Sequence, residues 1–162
     1  MDKNDLLEGK KILIVDDEPD VLETLGELLD MCDVTEASSF EQAKELLETQ
    51  HFDLAVLDIM GVSGYQLLEI ATKKNLIAVM LTAYALTPED VEKSHKGGAA
   101  YYIPKEKMVN IATFLNDILK AKAEGKNTWE NWLSRMASFC EKKFGQDWQK
   151  SDREFWERFP FH

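Results

Sequence analysis

Lys11-Ile12-Leu13-Ile14-Val15-Asp16-Asp17-Glu18-Pro19 is the stretch that decides the fold. Ile12–Val15 is a short aliphatic run without polar alternation, the pattern of a strand covered on both faces. It ends at three acids, and from Pro19 onward Val21, Leu22, Leu25, Leu28 and Leu29 recur at helical spacing. A buried strand handing over to an amphipathic helix is the first half of a strand–helix–strand unit.

The same alternation continues along the chain. Further strands are expected at Asp33–Glu36, Asp53–Leu57, Ile77–Leu81 and Tyr101–Ile103, beside the first at Lys11–Asp16. Helices are expected at Pro19–Leu29, at Phe40–Glu48 with Ser38 or Ser39 as cap, at Tyr65–Lys74 after Gly64, at Pro88–Lys96 after Thr87, and at Lys107–Lys122. Five such units imply a parallel sheet with right-handed crossovers. At this length the expected solution is an α/β, flavodoxin-like doubly wound sheet of strand order 2-1-3-4-5, with a C-terminal helical extension. Such sheets place their chemistry at the carboxyl ends of the strands.

The domain expected over residues 1–123 is followed by a tail over 124–162. The boundary falls at Glu124-Gly125-Lys126-Asn127, beyond which lie all four tryptophans and five of the eight phenylalanines. Asn127 with Glu130 reads as a capping box, and Trp129, Trp132, Leu133, Met136, Cys140 and Phe144 mark one helical face. A second short helix is expected after Ser151, and the tail is expected to pack at least partly on the domain before it. The net charge of −11 sits entirely in residues 1–123, because the tail carries seven acids and seven bases. So acidic a domain repels phosphate backbones and anionic lipid, which disfavours nucleic acid and membrane as partners. No apolar run approaches the roughly 20 residues needed to span a bilayer, and no export signal is read at the N-terminus. Cys32 and Cys140 form neither a disulfide framework nor a zinc motif and suit a cytoplasmic setting. His51, His95 and His162 have no ligand spacing and read as surface residues.

Strand 1 ends in Asp16-Asp17-Glu18, strand 3 in Asp58 and strand 4 in Thr82, while strand 5 runs into Lys105. Order 2-1-3-4-5 sets strands 1, 3, 4 and 5 side by side, so these side chains converge on one rim. Clustered carboxylates repel unless a cation intervenes, and hard oxygen ligands without Cys or His suggest Mg²⁺. An amine and a hydroxyl beside them complete a pocket for a phosphoryl group. Any one of these acids alone reads as an ordinary helix cap; the set, at matching strand ends, does not.

Lys11–Pro19, Leu57-Asp58-Ile59-Met60, Met80-Leu81-Thr82-Ala83 and Gly98–Lys105 together resemble the receiver domain of two-component response regulators, collinearly over residues 11–121. The resemblance implies that Asp58 takes a phosphoryl group from a histidine kinase or a phosphotransfer protein. It implies that Asp17, Asp58 and the backbone carbonyl of Met60 bind Mg²⁺, with Asp16 helping through a water. Lys105 and Thr82 would contact phosphoryl oxygens, and Tyr102 stands where the family keeps its aromatic switch. Met60 and Tyr84 would flank the path of the hydrolytic water. Output would pass through contact with a downstream protein, without separate enzymatic turnover; family members often pair through helix 4, strand 5 and helix 5, and a homodimer is left open.

Two departures stand out. Asp58-Ile59-Met60-Gly61-Val62-Ser63-Gly64 lacks the family's Met-Pro pair and is about two residues shorter, so a tighter loop is expected over the metal site. Glu106 replaces the proline that usually follows the lysine through a cis bond, and a cis bond before a non-proline residue costs about 2.5–4 kcal/mol. A different path after strand 5 is therefore expected, with Pro104 as a partial substitute. Two other readings are weighed: a receiver-like scaffold that is not phosphorylated, and an aspartyl-phosphate phosphatase. The second lacks the acid such enzymes need two residues after the nucleophile, where Met60 stands.

Overall fold

The computed structural model describes residues 6–82, 88–129 and 132. Five parallel strands, β1 (Lys11–Val15), β2 (Asp33–Ala37), β3 (Leu54–Asp58), β4 (Ile77–Thr82) and β5 (Tyr101–Pro104), lie in the order β2-β1-β3-β4-β5. Between and after them run α1 (Pro19–Leu28), α2 (Phe40–Thr49), α3 (Gly64–Lys73), α4 (Pro88–Lys96) and α5 (Ile111–Ala123). The chain reverses its direction across the sheet after β1–β2, and right-handed crossovers then put α1 and α5 on one face and α2, α3 and α4 on the other. The strands begin and end within one residue of the sequence expectation.

Burial follows from that sandwich. Ile12, Leu13, Ile14 and Val15 are buried although they point alternately to the two faces, and Leu54–Leu57 and Ala78–Leu81 behave alike. β2 is the exception: it is an edge strand, and Asp33 and Glu36 remain exposed.

Local chemistry sets the helix ends. The Ser39 hydroxyl accepts from the Gln42 N–H at 3.2 Å while the Gln42 Oε1 accepts from the Ser38 N–H at 2.9 Å, a reciprocal cap of α2. α4 carries Glu89 and Asp90 in its first turn and Lys93, His95 and Lys96 in its last, matched to the helix dipole. One helix differs from expectation. The stretch Lys105–Asn110 is a 3₁₀ turn, and α-helical geometry starts only at Ile111. No residue of the 3₁₀ turn is buried, so no core contact rewards the wider α-turn until Ile111 meets the sheet.

The start of the tail joins the core. Asn127 caps the turn that begins at Thr128, its Oδ1 accepting from the Trp129 N–H at 2.8 Å. Trp129 and Trp132 are buried with the core of residues 1–123, their rings 5.3 Å apart. His95, read as a surface residue, is half-buried with its ring edge-on to Trp129 at 5.4 Å, and burial lowers its proton affinity. The cap Thr87, Tyr84, the tail positions Leu133, Met136, Cys140 and Phe144, and the second short helix lie outside the described residues. Among the described residues no helix is long and apolar enough to cross a membrane.

Trp129→Ala removes an indole from this core, and a loss of about 3–5 kcal/mol is expected. The midpoint of urea unfolding measures it; a change below about 1 kcal/mol would place Trp129 outside the cooperative unit.

Candidate functional site

The carboxyl ends of β1, β3, β4 and β5 meet on one rim, as the register requires: Asp58 lies opposite Leu81, and Thr82 opposite Pro104. Asp58, the last residue of β3, is only 4% exposed, and Asp16, directly after β1, is fully buried. Thr82 closes β4 and is buried as well. Lys105 follows β5 without a proline after it, yet the 3₁₀ turn it opens lets its side chain lie back over the strand ends. Its Nζ stands 2.8 Å from Asp16 Oδ2, 2.8 Å from Glu18 Oε1 and 3.6 Å from Asp58 Oδ1.

Glu18 belongs to the acidic rim read from the sequence, which assigns it no role of its own. It occupies the N-cap position of α1 but makes no side-chain cap bond. Its backbone N–H instead donates to Asp16 Oδ1 at 2.9 Å, and its side chain pairs with Lys105. The signal was present as the third acid of Asp16-Asp17-Glu18, immediately before the proline that starts the helix. Oxygen atoms of these three residues lie within 4.8 Å of one another, and a donor set of hard carboxylate oxygens fits a divalent cation.

Two glycines permit the tight loop between β3 and α3. Gly61 (φ 84°) lies against Asp17, and a Cβ there would come within 2.5–2.7 Å of all three heavy atoms of its carboxyl group. At Gly64, the first residue of α3, a Cβ would overlap the backbone carbonyl oxygen of Asp58. The turn is tied by the Gly64 N–H donating to the Ile59 carbonyl at 3.1 Å, while the Ile59 N–H donates to Leu81 at 3.0 Å. Met60 points outward, 53% exposed. Tyr102 is fully buried, and burial and then the charge of Asp90 raise its proton affinity.

Electrostatics match this geometry. Burial, followed by the charge of Asp16, pushes the Asp58 carboxyl up to about 7, with Asp17 adding to the rise and Lys105 opposing it. Burial also raises Asp16, against hydrogen bonds from Lys105 and from the Glu18 backbone. Burial pulls the Lys105 ammonium down, but hydrogen bonds to Asp16 and Glu18 and the charges of Asp16 and Asp58 outweigh it, so it stays cationic. The site therefore joins a buried carboxylate, a fixed ammonium, a hydroxyl at the end of β4 and an acidic trio, a set suited to holding a phosphoryl group and a hard cation.

The family described as Response regulator receiver domain matches residues 12–116. A two-component response regulator from Arabidopsis thaliana is 35% identical over 106 residues, which are 60% of this chain and 16% of that protein. The Heme response regulator HssR of Staphylococcus aureus strain Newman is 39% identical over 101 residues, 57% of this chain and 43% of that protein. The chain thus spans less than half the length of either relative. A CheY-like receiver domain from Methanospirillum hungatei JF-1 superposes with a TM-score of 0.58 at 28% identity, covering 69% of this chain and 98% of that one. A response regulator from Thermotoga maritima shares the fold with a TM-score of 0.63 at 20% identity, over 69% of this chain and 98% of that one.

The pH dependence of stability follows from Asp58. Its folded proton affinity lies above the ordinary value of 3.8, so the folded state holds the proton longer, and stability falls as pH rises from about 4 to about 7. Asp58→Asn removes that fall. The variant should match wild type near pH 4 and exceed it at pH 8 by roughly 2–4 kcal/mol, at about 1.4 kcal/mol per tenfold change in proton affinity; denaturant melts at the two pH values check this. Gly64→Ala should lose about 3 kcal/mol or more, because the clash is with backbone.

Proposed function

This chain belongs to the response regulator receiver domain family, and we propose that it is a phosphorylation-controlled switch whose acceptor is Asp58. The observation that carries the reading is the ammonium of Lys105, 3.6 Å from a buried Asp58 whose neighbours are an acidic trio and a buried threonine. An inert scaffold has no need to bury Asp16 and Asp58 together, an arrangement that costs stability. With Met60 exposed, rather than an acid aimed at the site, two residues after Asp58, nothing favours an aspartyl-phosphate phosphatase; the only turnover expected is loss of the chain's own phosphoryl group.

In this reading an Asp58 carboxylate oxygen attacks phosphorus, the phosphorus–nitrogen bond of a phosphohistidine breaks, and the electron pair leaves with the imidazole of a histidine kinase or phosphotransfer protein. A bound Mg²⁺ would neutralise charge on the phosphoryl oxygens. Asp17 and Asp58, with Asp16 through a water, would hold it, and the family pattern adds the Met60 carbonyl. Lys105 offsets charge on the opposite side, exchanging its pairing with Glu18 for a phosphoryl oxygen. Thr82 supplies a hydroxyl to a second oxygen. Since Asp58 takes up a proton near pH 7 without a cation, cation binding also favours the ionised nucleophile. Output passes to a downstream protein by contact, in a cytoplasmic setting.

Intact mass after incubation with Mg²⁺ and acetyl phosphate tests the reading. Wild type should gain one phosphoryl group, Asp58→Asn none, and EDTA should abolish the gain. Lys105→Ala should slow it by about 10- to 100-fold. Gain in Asp58→Asn equal to that of wild type would overturn the assignment.

A further inference from the structure

Among the described residues β5 is the last strand of the sheet, and no strand pairs with its outer edge. Carbonyls two residues apart on a strand point to the same side. Two carbonyls at and just before β5 are taken by the chain itself: the Thr128 hydroxyl donates to Ala100, directly before the strand, at 2.7 Å, and the Trp132 indole N–H donates to Tyr102 within it at 2.5 Å. The Trp129 indole N–H donates to the carbonyl of Ala99, one residue before Ala100, at 2.9 Å. All three donors are buried, and the segment returns to the sheet after Gly125 (φ 70°) turns the chain out of α5. Trp132 thus grips the backbone of Tyr102, which lies opposite Met80 and so shares a face of the sheet with Thr82, two residues further along β4.

We propose that Thr128, Trp129 and Trp132 form a clasp over the outer edge of β5 that keeps the Tyr102 phenol turned in toward Thr82, so that closure of the clasp and phosphoryl occupancy of Asp58 reinforce each other. This rests on the reading of Asp58 as the acceptor. Both indoles and Tyr102 are at most 3% exposed, so an outward turn of the phenol would have to break this packing. Thr82 closes the strand next to β5, two residues beyond the Met80 that faces Tyr102; in the acceptor reading its hydroxyl turns to a phosphoryl oxygen, and a buried Tyr102 beside it fills the space that turn leaves. A state favoured at both ends is linked reciprocally: whatever the clasp adds to phosphoryl binding, phosphoryl binding adds to the clasp. Phosphoryl occupancy therefore tightens the contacts of Thr128, Trp129 and Trp132 and does not release them.

Beryllium trifluoride with Mg²⁺, a phosphoryl mimic, tests this on the full chain by calorimetric titration. Trp132→Phe keeps an aromatic ring but removes the donor, and Thr128→Val removes the other edge bond; each should bind the mimic about 3- to 10-fold more weakly than wild type. In wild type, hydrogen exchange at the Trp132 indole N–H should slow by a comparable factor when the mimic binds. Should Trp132→Phe fail to fold, Thr128→Val alone decides. Equal affinity in a folded variant overturns the clasp while the acceptor reading stands, and tighter binding overturns its direction. No binding to wild type overturns the acceptor reading itself, and the linkage with it.

Discussion

Two carboxylates buried side by side, Asp16 and Asp58, with one ammonium between them, are the constraint around which the rest of this molecule is arranged. Removing two like charges from water is costly, and a single lysine repays only part of it. What remains is visible in Asp58, which keeps its proton to about pH 7. The sheet supplies the stability that tolerates this: strands β1, β3 and β4 are covered on both faces, so the charged rim is mounted on the best-packed part of the chain.

The loops around the rim are shaped by the same demand. The turn after β3 is short, and Gly61 and Gly64 let its backbone press against Asp17 and against the Asp58 carbonyl. Glu18 gives up the ordinary duty of an N-cap side chain to hold Lys105. The 3₁₀ turn that starts at Lys105, directly after Pro104, turns this lysine from the end of the last strand back over the rim.

Much of this was legible in the sequence because its signals are local. Aliphatic runs of four, a serine two residues before Glu41, and acids at the ends of Ile12–Val15 and Leu54–Leu57 specify strands, a cap and a rim without reference to distant residues. What escaped depends on partners far away in the chain. Glu18 looks like any acid before a helix until Lys105, 87 residues later, is brought beside it. His95 looks like a surface residue until Trp129 packs on it. The 3₁₀ turn was missed because Lys107–Lys122 carries a helical rhythm throughout, whereas burial begins only at Ile111. The aromatic content of the tail announced packing, but composition could not say that the outer edge of β5 receives it.

The two margins of the sheet are guarded by unlike means. At β5 the exposed backbone is satisfied by side chains of the same molecule, whereas at β2 the guard is charge, with Asp33 and Glu36 facing water. A strand from a stranger would have to evict two indoles at one margin or neutralise carboxylates at the other. Such a sheet is poorly suited to templated growth. At the high concentrations of a crowded compartment it would resist the edge-to-edge stacking that leads to fibrils, even with hydrophobic strands at its centre.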